Sequence, residues 1–139
     1  MWGDPSLYDG TIRIVRELGA PFDVLPGISA PQALAAQHAI VLHEVGRPVH
    51  VTTARRLRAD VAAGQDNLVV MLTAGVDLDG FADWDIWWGA NLGGAGQRLL
   101  SGRVGDVLGA IEAARAEAKA EAGWVMDLFL LRRPADGAA

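Results

Sequence analysis

Apolar and polar residues follow helical and strand periods in alternation along this chain. Apolar side chains three or four residues apart predict an amphipathic helix over residues 5–18, which Gly19 would end. The same spacing predicts a longer helix over residues 104–122, ended by Gly123. Because shorter patterns of both kinds lie between these two helices, the fold class is expected to be α/β.

Short apolar runs bounded by turn residues predict the strands. The continuous apolar run within residues 67–73 is typical of a strand that is covered on both faces. The other predicted strands lie at residues 22–25, 49–53, 86–88, 97–101 and 124–131, and shorter helices are predicted at residues 29–38 and 55–63. Both short turns and a helix join the last strands, so the sheet is expected to be mixed.

A linker over residues 39–48 predicts a boundary between two lobes, because it ends in the sequence Gly-Arg-Pro. Residues 1–40 are then a partial first lobe of helix, strand and helix. Residues 47–134 are a second, mixed-sheet α/β lobe, and residues 135–139 are expected to form a disordered tail.

The composition excludes several classes of function. A net charge of −5 argues against nucleic acid as a partner, since phosphate binding requires a basic face. Without cysteine there can be no disulfide, thiolate metal site or thiol nucleophile. The longest uncharged run, residues 24–43, contains proline, glutamine and histidine, which argues against a membrane span. We therefore expect a cytoplasmic protein with no membrane partner.

Two turns near the start of the chain are candidates for a ligand site. The sequences Gly-Asp-Pro at residues 3–5 and Pro-Gly-Ile at residues 26–28 each precede a helical pattern, and Ser29 is the expected N-cap of the second helix. Both turns are expected to place helix N-termini near one edge of the sheet. In open α/β sheets, small ligands bind at such an edge.

Three short motifs match known sites only in part. The acidic residues of segment 77–85 lack the ligand spacing of an EF-hand, which favours a solvated loop. Gly94 and Gly96 lack the third glycine of a dinucleotide fingerprint and predict a tight turn. Ser29 lies in a near match to a hydrolase nucleophile elbow, but Pro31 replaces the required glycine, so a helix cap is the favoured interpretation.

The chain has a single cluster of basic residues, formed by Arg55, Arg56 and Arg58 with Arg47 nearby. One interpretation is a solvated helix face. The other is a docking surface for a carboxylate-rich small molecule, because guanidinium groups pair well with carboxylates. The sequence pattern leaves both interpretations open.

Several stretches together resemble the tetrapyrrole methyltransferase family of cobalamin and sirohaem synthesis. The family resemblance rests on the two opening turns with their helices, residues 2–8 and 25–36. Within the family, further stretches are similar to the deacetylating methyltransferases of cobalamin synthesis. They are residues 52–57, 88–93, 100–103 and 123–134.

The resemblance implies S-adenosylmethionine-dependent methyl transfer to a ring carbon of a precorrin, with release of acetate, and two α/β lobes that hold the cofactor between them. By position in the family pattern, the cofactor-binding residues would be Gly3, Asp4, Tyr8, Ser29, Ala30, Met71, Leu72 and Ala90. With such a substrate, Arg55 and Arg56 would pair with the precorrin carboxylates. Methyl transfer to carbon needs mainly positioning and desolvation rather than a strong base, so a missing catalytic triad is expected and no catalytic residue is assigned. No metal site is expected.

The family pattern also places a strand and a glycine-rich loop before the turn at Gly3. The chain is therefore expected to correspond to the C-terminal portion of a family member. Faces left uncovered by the missing part would favour self-association, and a homodimer is a possible outcome. The alternative to an active methyltransferase is a truncated, non-catalytic binding or structural fragment of such an enzyme.

Overall fold

The computed structural model describes residues 9–73, 75 and 77–135. In chain order, its helices and strands are α1 (Asp9–Glu17), α2 (Ala30–His38), β1 (His50–Thr53), α3 (Leu57–Ala62), β2 (Asn67–Met71), β3 (Asp85–Ala90), β4 (Arg98–Arg103), α4 (Val104–Ala122) and β5 (Asp127–Arg132). None of these helices is long and apolar enough to cross a membrane.

The strands form one sheet in the order β1-β2-β5-β3-β4. Strands β1 and β2 are parallel, whereas β5 is antiparallel to both β2 and β3, and β4 is antiparallel to β3. This confirms the predicted mixed sheet. Strands β1, β2 and β3 therefore end on one side of the sheet, where β4 and β5 begin. We call this side the carboxyl edge; it contains Thr53, Met71, Ala90, Arg98 and Asp127.

An apolar cluster covers each face of the sheet. Helices α3 and α4 pack on one face, through side chains that include Leu57 and Ile111. Helix α2 packs on the other face through Leu34. Strand β2 supplies side chains to both clusters and is buried from Leu68 to Met71, which confirms that its continuous apolar run marks a strand covered on both faces.

Helix α2 approaches the sheet very closely at Gly89. A Cβ atom at this position would lie 2.9 Å from Leu34 Cδ1 and 2.7 Å from Leu92 Cδ2, so glycine provides the space for both side chains. One turn further along α2, His38 Nε2 donates a hydrogen bond to the carbonyl of Trp88 at 3.0 Å. These contacts fix α2 over β3.

The strand expected at residues 22–25 is wrong. These residues belong to no strand, and their apolar side chains are exposed, including 85% of Leu25. A strand needs a hydrogen-bonded neighbour, and no described strand lies beside this segment. The apolar residues between the two prolines have the pattern of a short strand, but they lack the neighbouring strand that would stabilise it.

The other elements follow the sequence pattern with small shifts. Helix α4 has the bounds that its periodicity predicts, ending at Gly123 with φ 75°. Helix α3 begins two residues later than expected, because Arg56 N donates to Thr53 O at 2.9 Å in a preceding turn. Residues 5–8 of the predicted 5–18 helix, and residues 136–139 of the tail, lie outside the described residues, and α1 covers Asp9–Glu17 of that helix.

The linker over residues 39–48 contains no helix or strand and is bonded to the sheet at the opposite side from the carboxyl edge. Arg132 donates to the carbonyls of Val41 and Leu42, both at 3.0 Å, and its guanidinium lies over the Trp87 ring. The division into two lobes at this linker stays a prediction.

Candidate functional site

Strand β2 ends at the carboxyl edge in an unusual backbone conformation. Met71 is the last strand residue, and Leu72 has φ 54°, which a branched side chain such as leucine rarely adopts. The Leu72 side chain is 65% exposed. Strained backbone conformations cluster at functional sites, and ligands of open α/β sheets bind at the carboxyl ends of the strands.

Strand β3 ends two strands away, at Ala90, and the next residue also has a positive φ. Asn91 (φ 50°) donates from its backbone to Met126 O at 2.8 Å, and its side-chain Oδ1 accepts from Met126 N at 3.2 Å. The turn after β3 is therefore fixed to the segment that leads into β5. Ala90 itself is fully buried, both side chain and backbone.

A buried carboxylate lies between these two strand ends. Asp127 is 6% exposed and accepts three side-chain hydrogen bonds: from Thr73 Oγ1 at 2.6 Å, from Trp88 Nε1 at 3.1 Å and from Arg115 Nε at 2.9 Å. Arg115 also donates from Nη2 to the carbonyl of Thr73 at 3.1 Å. We call these four residues the Asp127 network.

Ser29 and Ala30 lie at the start of α2. The Ser29 hydroxyl accepts from Gln32 N and the Ser29 amide donates to Gln32 Oε1, both at 3.4 Å, which is a capping box. The predicted N-cap is thus confirmed. Ala30 packs against the apolar cluster that also contains Met71. Gly3, Asp4 and Tyr8 lie outside the described residues.

The two arginines proposed for substrate lie in the turn after β1, also on the carboxyl edge. Arg55 is exposed. Arg56 pairs through Nη2 with Asp60 Oδ1 at 3.1 Å, four residues ahead in α3. Arg58, in contrast, is paired with Asp77 at 3.0 Å and lies over the Phe81 ring. Of the three arginines at residues 55–58, only Arg55 has no side-chain ion pair with another described residue.

Asp60, in α3, is the other buried carboxylate among the described residues. It accepts from Thr52 Oγ1 at 2.5 Å and lies 3.2 Å from His50 Nε2. The Thr52 hydrogen bond, with help from Arg56 and His50, lowers the pKa of Asp60 below its ordinary value of 3.8, although burial acts in the opposite direction. Asp60 is therefore ionised at neutral pH and holds β1 to α3.

The acidic segment 77–85 lies between β2 and β3 in the chain and forms turns rather than a ligand cage. Asp77 Oδ1 accepts from Arg58 and from the amide of Asp79. Across the described residues there is no group of histidine, aspartate and glutamate side chains that could hold a metal ion.

A family model described as Tetrapyrrole (Corrin/Porphyrin) Methylases matches residues 1–108. The chain belongs to this family. The family predicted from the sequence resemblance is thereby confirmed, and the mixed α/β sheet matches the fold of tetrapyrrole methylase structures.

Two relatives of this tetrapyrrole methylase are similar in sequence. A Sinorhizobium protein named precorrin-6A synthase (deacetylating) is 44% identical over 144 aligned residues, which cover 98% of this chain and 55% of that protein. A solved structure from Corynebacterium diphtheriae, described as a cobalamin synthesis related protein (CobF), is 39% identical with a TM-score of 0.85, covering 96% of this chain and 59% of that one. The chain thus spans little more than half the length of these relatives.

A more distant structure shows only that the fold is shared. The uroporphyrin-III C-methyl transferase from Thermus thermophilus, solved in complex with S-adenyl homocysteine, is 19% identical with a TM-score of 0.58. The alignment covers 94% of this chain and 62% of that one.

The structure brings Met71, Leu72, Ala90 and the two arginines of the β1 turn to one edge of the sheet. Sequence reasoning missed the Asp127 network on the same edge. One signal was available: Asp127 is followed directly by four apolar residues of a predicted strand, and a buried charge requires partners. The identity of those partners could not be inferred, because Thr73, Trp88 and Arg115 are distant in sequence.

Proposed function

We propose that this tetrapyrrole methylase acts in cobalamin biosynthesis, as a precorrin-6A synthase or as the part of one that carries the second lobe. The reaction is S-adenosylmethionine-dependent methylation of a precorrin ring carbon with release of acetate. The observation that carries the proposal is the 44% identity to the Sinorhizobium precorrin-6A synthase across 98% of this chain. The proposal treats the chain as the C-terminal portion of such an enzyme, with the lobe boundary in residues 39–48.

The cofactor-binding residues of the proposal are Gly3, Asp4, Tyr8, Ser29, Ala30, Met71, Leu72 and Ala90. Support comes from the carboxyl edge, where the apolar Leu72 side chain is exposed at the end of β2, two strands from the buried end of β3. An apolar side chain can pack on an adenine ring, while backbone groups at strand ends supply directed hydrogen bonds. S-adenosylhomocysteine, the demethylated product, is the ligand named with the Thermus structure of the same fold.

Ser29 has a restricted part in this proposal. Its hydroxyl and its amide are both engaged in the capping box of α2, so its contribution is to orient the helix N-terminus rather than to bind ligand with its side chain. Ala30 follows at the first turn of α2, where free backbone N–H groups face outward from a helix start.

The methyl donor supplies an activated methyl group that a nucleophilic ring carbon can accept without a strong base. The protein then has to hold the two reactants in line and exclude water, which needs positioning more than acid–base groups. Arg55 and Arg56 are the proposed substrate contacts. Precorrins carry several carboxylates that guanidinium groups can bind. The turn after β1 lies on the same edge of the sheet as the proposed cofactor site, which supports this role.

Isothermal titration calorimetry of the 139-residue chain with S-adenosylmethionine and S-adenosylhomocysteine tests the proposal. Micromolar binding of both ligands would support a cofactor site. Leu72→Ala should then weaken binding severalfold, whereas the control Val45→Ala, at an exposed apolar side chain in the linker, should leave it unchanged. No binding to the wild-type chain would favour the alternative, a non-catalytic binding or structural fragment.

A homodimer and a cytoplasmic location belong to the same proposal. Exposed apolar side chains on α1 and the segment after it, such as Ile14 and Leu18, support self-association. Sedimentation velocity over a range of protein concentrations tests for the homodimer, and a single monomeric species at all concentrations would contradict it.

A further inference from the structure

We propose that the Asp127 network is a positioning device for the cofactor: it fixes the conformation of residues 71–73 and so sets the affinity for S-adenosylmethionine. The inference rests on the function proposed above. It assigns a role to Thr73, Trp88, Arg115 and Asp127, which are not themselves among the proposed ligand contacts.

The first step of the argument is a change of face at Leu72. In a regular strand, residues two apart point to the same face. Met71 packs in the cluster on the α2 face, yet the Thr73 hydroxyl reaches Asp127, whose partners Trp88 and Arg115 lie on the α4 face. The positive φ of Leu72 produces this reversal.

The second step is that this reversal needs support. A leucine whose backbone is in the left-handed region is strained, and this conformation persists only where the neighbouring residues are held on both sides. Before it, Met71 is paired with Thr53 in β1. After it, Thr73 is held twice by the network, through its hydroxyl to Asp127 at 2.6 Å and through its carbonyl from Arg115 at 3.1 Å.

The third step connects both halves of the proposed cofactor site. Asp127 is the register partner of Ala90 in the sheet, and its Oδ2 accepts from Trp88 Nε1 in the same strand as Ala90. One carboxylate therefore ties the end of β2 to the end of β3. A group that sets the relative position of Leu72 and Ala90 also sets the shape of any ligand site between them.

The fourth step concerns burial and charge. The side chains of Arg115 and Asp127 are 18% and 1% exposed. A buried ion pair is often no more stabilising than apolar residues of the same volume, so stability alone does not account for this arrangement. Its directed hydrogen bonds do provide fixed geometry, since Arg115 presents a planar fork to two different oxygens.

The test compares the affinity for S-adenosylhomocysteine in four variants of the full chain, by calorimetry, with unfolding temperatures measured in parallel. Thr73→Val removes the hydroxyl and should weaken binding at least fivefold. Thr73→Ser keeps the hydroxyl and should restore binding to within twofold of wild type. Arg115→Lys keeps a charge for Asp127 but loses the fork to the Thr73 carbonyl, and should weaken binding severalfold.

Thr52→Val is the matched control, because Thr52 also donates a hydroxyl hydrogen bond to a buried carboxylate, Asp60, outside the network. It should lower the unfolding temperature and leave the affinity within twofold of wild type. Equal affinity in wild type, Thr73→Val and Arg115→Lys would overturn the inference while the proposed function stands. A wild-type chain that does not bind S-adenosylhomocysteine would overturn both.

Discussion

Arg115 Nε donates a hydrogen bond to Asp127 Oδ2 at 2.9 Å, and this buried ion pair joins the middle of α4 to the first residue of β5. The pair lies on the carboxyl edge, directly behind the strand ends that we propose bind the cofactor. Its position suggests that the stability of the sheet and the geometry of the site depend on the same charges.

Arg115→Met should destabilise the fold strongly. Removal of the guanidinium leaves Asp127 buried without its charged partner, and loss of one member of a buried pair costs about 3 to 5 kcal/mol. Urea denaturation followed by circular dichroism measures the free energy of unfolding. The control is Glu121→Gln, which breaks the exposed Arg98–Glu121 pair and should cost less than ~1 kcal/mol. Similar losses of unfolding free energy in both variants would contradict the expectation that the buried pair matters more for stability than the exposed pair.

Gly89→Ala should also reduce the free energy of unfolding, by about 1 to 3 kcal/mol, because overpacking forces neighbouring side chains off their preferred rotamers. The new Cβ would meet Leu34 Cδ1 at 2.9 Å and Leu92 Cδ2 at 2.7 Å. Gly109→Ala provides the control, since nothing lies within 4 Å of its Cβ position in α4.

The control should increase stability by roughly 0.5 to 1 kcal/mol, the usual gain when alanine replaces glycine inside a helix. The combination of Gly89→Ala with Leu92→Ala should cost less than the sum of the two single changes, because the truncated side chain leaves room for the new methyl group. Additive losses would show that the new methyl group is not in steric conflict with Leu92.

The lowered pKa of Asp60 predicts a specific dependence of stability on pH. The unfolded chain takes up this proton near pH 3.8 and the folded protein only at lower pH. The contribution of Asp60 is therefore complete above the unfolded pKa and is lost as the pH falls through the folded pKa. Asp60→Asn should flatten the acid side of the stability curve measured by thermal unfolding.

Thr52→Val tests the cause of that shift. Because the Thr52 hydrogen bond is the largest contribution to the lowered pKa of Asp60, its loss should move the acid transition of unfolding to higher pH. An acid transition that is unchanged in Thr52→Val would mean that other groups control acid unfolding.

Arg55→Gln should weaken the binding of a polycarboxylated porphyrin such as uroporphyrin, used as a probe for the proposed substrate. The loss should be several-fold at low salt and smaller at high salt, because exposed charge pairs are screened. Quenching of tryptophan fluorescence measures the affinity. Arg56→Gln should have a weaker effect, since Arg56 is already paired with Asp60.

Arg133→Gln is the control for this comparison. It makes the same charge change directly after β5, on the side of the sheet opposite the carboxyl edge. Equal losses for Arg55→Gln and Arg133→Gln would indicate attraction by overall charge and would remove the proposed substrate contact.

Local patterns in the sequence were sufficient for the helices and for most strands. The spacing of apolar residues and the terminal Gly123 predict the bounds of α4, because helix periodicity and a left-handed C-cap are local properties. Likewise the Ser29 cap of α2 depends only on Gln32, three residues away. The buried strand β2 follows from an apolar run too regular for a surface segment.

Two features depend on the tertiary structure alone: the absence of a strand at residues 22–25 and the formation of the Asp127 network. Residues 22–25 have a strand-like composition, but a strand exists only where a neighbour accepts its hydrogen bonds. Thr73, Arg115 and Asp127 belong to separate parts of the chain, and only the antiparallel insertion of β5 between β2 and β3 brings them together. The sequence by itself determined the family and the elements that local patterns specify. The sheet order, which depends on long-range pairing, determined which residues meet at the carboxyl edge.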